Sequence, residues 1–449
     1  AAGNLSQALA CNPYQTFLLS ALSNFVVNGA LEASNVASKA RPQTEKAKLR
    51  LTSTHAHVLK QKVSTPSKKN TWEWRYASSD DIQGWTLDHL FLLIFATAVS
   101  AIATEFGVGR WEDMMPYTVG AFLMFGLGSI PAGRLGDLWG RRQMMLVFFF
   151  GMGLSAIGVA FTQTPLQMGM ALTVLGIFSA IYHPVGIPML VQKSERPGFT
   201  IGVNGLAGNL GIALAALSTG FLVAWQGWRV AFVVPGLVSI VCGVAFAMTA
   251  PHESGAPAKK KTSSVQLPKH LAWRTFVVMV ATATTTSLLF NITTNGNAQL
   301  LTERISGLVN DPSSLGMLLA GVYAVASLAQ LVVGRLLDVF PVKPLFFVIL
   351  SLQIVMFGVA SQSTGWAWYA AAIGYTVMVF GSIPFNDTMV VRYIDDAMRS
   401  RVSGTRLAIS FGISSLAVYF LGPVVKMAGF TQLMVGLTFV AALGAVIAL

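Results

Sequence analysis

Several side chains that could carry protons or hydrogen-bond a ligand lie within long apolar stretches of this chain. An ionisable group in hydrocarbon costs ~2.5–3.5 kcal/mol on insertion scales, so each one needs a physical reason. His183 is followed by Pro184 and Pro188, which free backbone carbonyls and bend a helix. Because histidine titrates near neutral pH, we predict that His183 couples protons or contacts a substrate. The alternative is a neutral histidine that is hydrogen-bonded to a neighbouring helix.

Two carboxylates are further candidates for proton coupling. Asp387 follows Asn386 in another apolar stretch. If Asp387 faces a cavity, it can carry the coupling proton or balance the charge of a substrate, with Asn386 beside it. If it lies at the membrane surface, it pairs with Arg392 or Arg406. Glu105 belongs either to the same cavity or to its rim, in water.

Amide side chains are the candidates for hydrogen bonding to a substrate. Asn291 and Asn295 are four residues apart and share a helix face, so we expect both to line a cavity. Asn209 is expected to face that cavity as well. Asp88 and His89, in contrast, are expected at the inner membrane interface.

Membrane-spanning helices must position these side chains. Hydrophobic residues make up 54% of the chain and charged residues 11%, against roughly 25% charged in soluble domains. A span needs ~20 mostly apolar residues. This measure predicts an all-α integral membrane protein with twelve spans, at 86–108, 114–135, 143–162, 166–191, 200–224, 229–250, 275–301, 314–337, 345–362, 366–391, 402–425 and 428–449.

The basic residues predict the orientation of these spans. With the amino end inside, the inner connectors of the membrane part hold sixteen Lys and Arg residues and the outer connectors hold four. Positively charged loops stay in the cytoplasm. We therefore expect a cytoplasmic N-terminus and central linker, in the inner (plasma) membrane of the cell. The net charge of +12 then reflects membrane orientation rather than binding to nucleic acid.

The polar segments divide the chain into regions. A linker at 251–274, with three consecutive lysines, separates residues 85–250 from residues 275–449, and each of these regions is predicted to form a six-helix bundle. Residues 1–84 are polar and basic, and we expect a disordered extension without activity.

A short basic loop with one acid occurs twice. The sequence Gly-Arg-Leu-Gly-Asp-Leu-Trp-Gly-Arg-Arg (133–142) joins two apolar stretches, and Gly-Arg-Leu-Leu-Asp (334–338) follows 334 − 133 = 201 residues later. Repeated segments in the same orientation indicate two bundles related by an axis along the membrane normal, with the substrate path between them. This arrangement is typical of transporters.

The first loop resembles the signature between spans two and three of the major facilitator superfamily, and the twelve spans and central linker agree with it. The resemblance covers residues 85–449. It implies a loop that latches one conformation, with glycines that pack tightly and an acid that meets a helix end or an arginine of the other bundle. The predicted conformational latch consists of Gly133, Asp137, Gly140, Arg141, Arg142, Arg335 and Asp338.

A narrower resemblance rests on three segments: Ile-Tyr-His-Pro-Val-Gly (181–186), Gly-Asn-Leu-Gly (208–211) and Gly-Trp-Arg (227–229). They resemble the fosmidomycin-resistance-like branch, which implies proton-driven drug export. Span one departs from that branch, because Leu-Phe-Leu-Leu follows His89 where a polar pair is expected.

Span five carries a glycine at every third position. Small residues let helices approach closely in lipid. We expect this stripe to pack against another helix, in either a moving or a static contact. Its members are Gly202, Gly205, Gly208 and Gly211.

The expected function is export of a small organic compound or drug in exchange for protons, by alternating access. The alternatives are proton-coupled uptake of a small organic anion or metabolite and, more remotely, a non-transporting membrane sensor or scaffold. The sequence has no Gly-x-x-x-x-Gly-Lys-Ser/Thr nucleotide loop and no metal-binding cysteine spacing. We therefore expect no enzyme activity, cofactor or metal, and a monomer whose partners are a small-molecule substrate, protons and the lipid bilayer.

Overall fold

A computed structural model of the chain describes residues 71–191, 197–250, 269–393 and 396–448, and these are almost entirely helical. Residues from Tyr76 onward form one compact unit. Eleven helices in the described residues are long and apolar enough to cross a membrane. Residues 1–70 of the extension predicted at 1–84 and most of the predicted linker lie outside the described residues.

The helices follow one another through short connections. Two single-turn 3₁₀ helices, Trp111–Asp113 and Met115–Thr118, precede α2. The helices are α1 (Thr71–Glu105), α2 (Val119–Trp139), α3 (Arg141–Ala160), α4 (Pro165–Ser179), α5 (Tyr182–Val191), α6 (Pro197–Gln226), α7 (Trp228–Thr249), α8 (Lys269–Arg304), α9 (Pro312–Val339), α10 (Val342–Gln362), α11 (Gly365–Tyr393) and α12 (Asp396–Ala448).

The fourth predicted span is broken into α4 and α5. The helix ends at Ser179 and resumes at Tyr182. Pro184 cannot donate a backbone hydrogen bond, so the helical ladder is not complete at this point. The break presents Ser179, Tyr182 and His183 to the neighbouring helix α1, where the candidate site lies.

The last two predicted spans fall within α12. This 53-residue element is interrupted at Gly429, whose φ of 79° and ψ of 169° are not helical. A continuous helix of that length would be ~80 Å long at 1.5 Å per residue, whereas a bilayer core is ~30 Å thick. Gly429 therefore separates the segments that were predicted as spans 402–425 and 428–449.

Two helix pairs join the N-terminal segment (residues 84–250) to the C-terminal segment (residues 269–448). Helix α6 packs along α9, and α2 packs along α12. Backbones come very close where α6 meets α9: a Cβ added to Gly220 would lie 2.7 Å from the carbonyl oxygen of Pro312. Glycine is required there because any side chain would collide with the opposing backbone.

The glycine stripe of α6 contacts two different helices. Gly208 packs against Trp85 of α1, and Gly211 packs against the backbone of Thr86. Gly205 instead faces α9, where an added Cβ would lie 2.5 Å from Gln330 Oε1. The surroundings of Gly202 lie outside the described residues.

Candidate functional site

Asp88 is the centre of a buried polar cluster between α1, α4 and α5. Its side chain is 0% exposed. Oδ1 accepts a hydrogen bond of 3.0 Å from Ser179 Oγ. Oδ2 lies 3.7 Å from His89 Nδ1 and 3.9 Å from His183 Nε2, and within the described part of the chain no hydrogen bond reaches it.

The geometry around Asp88 Oδ2 suits proton exchange. Separations of 3.7 and 3.9 Å exceed a direct hydrogen bond, and a polar pair at such a distance can be bridged by a water molecule. A carboxylate between two imidazoles offers three sites that can hold one proton in turn. His89 lies beside Asp88 on α1, whereas His183 belongs to α5, so a small shift of α1 against α5 is enough to make or break the contact with His183.

Aromatic rings enclose the two histidines. The Trp85 ring lies 4.8 Å from the His89 ring and 4.7 Å from the His183 ring, centroid to centroid. Trp85, Asp88 and His89 are spaced i, i+3 and i+4, so they share one face of α1. Tyr182 completes the wall, and its hydroxyl donates to Asn204 Oδ1 at 3.1 Å.

The burial of this cluster adds to what was expected from the sequence. Asp88 and His89 were expected at the inner membrane interface, and both are buried against neighbouring helices. The break between α4 and α5 places Ser179 and His183 beside Asp88. The sequence does carry one sign of this burial. Trp85, Asp88 and His89 lie on the same face of a helix, and an aromatic residue on that face indicates that it packs against other helices.

The C-terminal segment approaches the same cluster through α12. Arg406 of α12 is buried. The rings of His183 and Phe411, also of α12, are 6.4 Å apart. The cluster therefore borders both segments of the chain, where a relative movement of the segments would alter it.

Two small cavities lie beside the cluster. One of about 30 Å³ is bounded by α1, α2, α4 and α8, and it includes Ser179 and Asn295 in its wall. The other, of about 10 Å³, includes His89, Asn291 and Asn295. A cavity of this size holds about one water molecule. The described structure is therefore closed around its centre.

The candidate amides fall into two groups. Asn295 lines both cavities and Asn291 lines the smaller one, and Asn295 Nδ2 donates to the Asn291 carbonyl at 2.9 Å. Asn209 and Asn386 are buried elsewhere, and in the described residues neither Asn209 Nδ2 nor Asn386 Oδ1 has a hydrogen-bond partner. The surroundings of the Asp387 side chain lie outside the described residues.

Glu105 lies apart from the Asp88 cluster, at the C-terminal end of α1. It is paired with Arg229, and its Oε2 accepts a hydrogen bond of 2.7 Å from Trp228 Nε1. The side chain of Arg229 is 36% exposed and that of Glu105 is 46% exposed. Glu105 thus ties α1 to α7 at the rim.

The loop predicted as a latch joins α2 to α3. Gly140 has a φ of 98°, a conformation that glycine adopts without strain. Arg142 turns inward: its Nε donates to the carbonyl of Ala250 at 3.0 Å and its Nη2 to that of Ala247 at 2.6 Å. These bonds satisfy carbonyls at the C-terminal end of α7.

The other latch residues are distributed over the same end of the molecule. Gly133 and Gly136 pack against Pro184 and Val185 of α5, whereas Asp137 is exposed. Arg141 begins α3, and Arg335 is exposed near the end of α9. The surroundings of the Asp338 side chain lie outside the described residues.

The opposite end of the molecule, which we call the closed end, is where the two segments meet. Lys426 Nζ lies 2.7 Å from Asp113 Oδ1, and the Trp111 ring stacks on that of Phe430 with a centroid separation of 5.8 Å. Gly422 packs against the Glu112 carbonyl. Each contact joins the connection between α1 and α2 to α12.

Comparisons with known proteins agree with this architecture. Residues 86–405 match the family described as the Major Facilitator Superfamily. A bacterial homolog to the human lysosomal transporter Spinster, solved in an inward-facing and occupied conformation, superimposes with a TM-score of 0.68 at 16% identity, covering 83% of this chain and 95% of that one. At this identity the likeness concerns the fold.

Curated relatives are transport proteins with different cargoes. The probable 4-methylmuconolactone transporter of Cupriavidus pinatubonensis is 28% identical over 39% of this chain and 42% of its own length. The cis,cis-muconate transport protein of Acinetobacter baylyi is 29% identical over 32% of this chain and 35% of its own length. The multidrug resistance protein MdtG of Proteus mirabilis is 23% identical over 66% of this chain and 76% of its own length.

These matches differ in how much they cover. The chain aligns with less than half of the length of the two muconate-related proteins, and the family match spans most of this chain. The narrower resemblance to the fosmidomycin-resistance-like branch stays a prediction. By its fold and its sequence, this chain belongs to the Major Facilitator Superfamily, a family of multi-pass membrane transporters.

Proposed function

We propose that the chain is a secondary active transporter that exports a small organic compound in exchange for protons. The observation that carries this proposal is the fully buried Asp88 between His89 and His183. Burying a carboxylate is costly unless it is neutralised or paired. Asp88 is buried despite this cost and lies beside two imidazoles, so its carboxylate is suited to taking up and releasing a proton during each transport cycle.

Alternating access supplies the conformational part of the proposal. Twelve spans form two six-helix halves, with the N-terminus and the central linker in the cytoplasm. In this arrangement the closed end faces outward, and the ion pair of Asp113 with Lys426 seals it. Asp137 is exposed at the other end, as expected for a latch that is released when the inner side opens.

The names of the relatives bear on the proposed direction of transport. One is named a multidrug resistance protein and another a tetracenomycin C resistance and export protein, which supports export. The names of the muconate and methylmuconolactone transporters favour a second candidate, proton-coupled uptake of a small organic compound. Both candidates use the same proton site. In export the compound and protons move in opposite directions, whereas in uptake they move together.

Proteoliposomes with an imposed pH gradient separate the two candidates. Purified protein is reconstituted and offered cis,cis-muconate, 4-methylmuconolactone, puromycin and tetracenomycin C, while an enclosed pH-sensitive dye records proton movement. Export predicts that a compound and protons move in opposite directions, whereas uptake predicts that they move together. If proton movement is independent of every compound in the panel and in a wider panel of small organic compounds, the proposed function is wrong.

A further inference from the structure

The walls of the larger cavity are dominated by aromatic rings. Phe91 and Phe95 of α1 and Phe122 and Phe125 of α2 line it from two sides. The Phe125 ring in turn contacts the ring of His183, with centroids 5.4 Å apart. Phenyl rings favour edge-to-face or offset packing with another flat ring. The cavity therefore suits the ring of a ligand better than a flexible alkyl chain.

Most polar groups in this wall already have a partner. The Ser179 hydroxyl donates to Asp88, and the Thr118 hydroxyl donates to the carbonyl of Met115 at 2.7 Å. Ser179 thus stands between the cavity and the Asp88 carboxylate. Asn295 belongs to α8 and lines the larger and the smaller cavity. Its Nδ2 already donates one hydrogen bond to the Asn291 carbonyl, and an amide has a second N–H and a carbonyl oxygen with which to bond a ligand in either cavity.

The wall that the two cavities share can form hydrogen bonds with an uncharged group of a ligand. The two cavities have Leu92, Phe122 and Asn295 in common, so a ring in one places its polar end near the other. There it meets the amides of Asn291 and Asn295 and the imidazole of His89. Amides and an imidazole bond an uncharged polar group well, whereas a fixed charge buried among phenyl rings loses its hydration.

We propose that the substrate is a compact, uncharged ring compound whose ring packs among Phe91, Phe95, Phe122 and Phe125 and whose polar group hydrogen-bonds with Asn295. This inference rests on the proposed transport function and names its substrate class. Binding opens the closed centre, so that the same rings part around the ligand and close again after its release. The Asp88 carboxylate stays behind Ser179, whereas His89 lines the smaller cavity, so the proton on Asp88 is carried apart from the substrate ring.

Three probes with the same ring and different charge test the proposal. Benzamide is neutral, benzoate is an anion and benzamidine is a cation at pH 7. Equilibrium dialysis of each labelled compound against the purified full chain in detergent measures binding without any proton gradient. We expect benzamide to bind at least tenfold more tightly than benzoate and benzamidine. Tighter binding of either charged probe, or binding of none of the three, would overturn the proposal.

Two substitutions locate the bound probe. Phe122→Leu removes a ring from both cavities and is expected to weaken benzamide binding several-fold, whereas the matched control Phe439→Leu, at a position 71% exposed on α12, leaves it unchanged. Asn295→Leu is expected to weaken binding of benzamide but not of toluene, which lacks the polar group. Equal effects of Phe122→Leu and Phe439→Leu, or equal losses of both ligands in Asn295→Leu, would contradict the assigned site.

Failure of this inference and failure of the proposed function give different results. A chain that binds benzoate or benzamidine best and still exchanges its compound with protons keeps the function and loses the substrate class. A chain that binds benzamide as expected but moves no protons in the liposome experiment loses the coupling and keeps the binding site.

Discussion

At the scale of single residues, Arg142 serves a structural purpose within the loop that was predicted as a latch. The residue is 8% exposed, and its guanidinium donates to two carbonyls at the end of α7. The last carbonyls of a helix have no partner within the helix, and a charged donor satisfies them strongly. Arg142 thus fixes α3 against α7 in the state described.

The substitution Arg142→Gln should therefore destabilise the protein. It removes charge-assisted hydrogen bonds to Ala247 and Ala250, and we expect a loss of about 2 kcal/mol in the free energy of unfolding. Thermal unfolding in detergent, followed by circular dichroism, measures it. The control is Arg134→Gln, because Arg134 is exposed in the same loop. Equal effects of the two substitutions would show that the carbonyl contacts of Arg142 contribute nothing.

The Asp88 cluster shows which site residues could be predicted from the sequence. His183, Asn291 and Asn295 stand out because each is a polar group deep in an apolar stretch. Asp88 lies near the start of the predicted span, where an acid ordinarily reaches water. Its burial depends on how α4 breaks at Ser179, a tertiary detail that the helix face around Asp88 indicates only weakly.

At the scale of helices, apolar length and polar connectors predicted most elements well. The boundaries that differ have local causes. Pro184 follows the break between α4 and α5. The first helix begins at Thr71, ahead of the apolar stretch, because helical structure continues through polar residues that a hydropathy measure excludes. Gly429 interrupts α12 within a mostly apolar stretch. Composition alone therefore indicates the boundary between the last two predicted spans only weakly.

The start of α9 gives a prediction about pH. Asp311 caps this helix: its Oδ2 accepts hydrogen bonds from Ser314 N at 2.9 Å and Ser314 Oγ at 3.0 Å. These bonds favour the carboxylate and hold the pKa of Asp311 below its usual value of 3.8. The stabilisation by Asp311 is therefore present above its ordinary pKa and is lost as the pH falls through its lowered value.

The substitution Asp311→Ala should lower the melting temperature at neutral pH and have less effect in acid. We expect the difference from the wild type to shrink steadily as the pH is lowered from about 5 to about 3. Differential scanning fluorimetry across this range measures both proteins, with Ser306→Ala, in the preceding connection, as the control. A difference that stays constant with pH would mean that the carboxylate of Asp311 does not cap the helix.

The contact of α6 with α9 gives a prediction about movement. A side chain at Gly220 would collide with the backbone of Pro312 and Gly316, so Gly220→Leu should keep the closed end open. A cysteine at Leu92, in the cavity wall, reports the opening when Cys11 and Cys242 are replaced by serine. An impermeant maleimide added from outside should then label it several-fold faster than in the parent.

The control for that prediction is Gly436→Leu, because an added Cβ at Gly436 meets nothing within 4 Å. Labelling in this control should equal that of the parent. If Gly220→Leu also leaves labelling unchanged, the close approach of α6 and α9 does not seal the closed end.

At the scale of the whole molecule, the contacts that seal the closed end and the Asp88 cluster lie at different depths. The closed end is sealed by Asp113 with Lys426 and by Trp111 on Phe430. The Asp88 cluster lies farther in and borders α12 through His183 and Phe411. Because α12 contributes to both, a tilt that opens the closed end also changes the surroundings of the cluster. This shared helix is a physical route by which proton binding could bias the direction of opening.

The central claim is that protons drive transport through Asp88. The most direct test compares Asp88→Asn with wild type in proteoliposomes, using the compound that gives the largest proton-linked flux. The substitution keeps the size and the Ser179 contact but removes the titratable group. Glu303→Gln, at an acid whose side chain is 55% exposed, is the control. The account predicts that Asp88→Asn still exchanges labelled for unlabelled compound without a gradient and loses transport driven by a pH gradient. Gradient-driven transport at the wild-type rate in Asp88→Asn would contradict it.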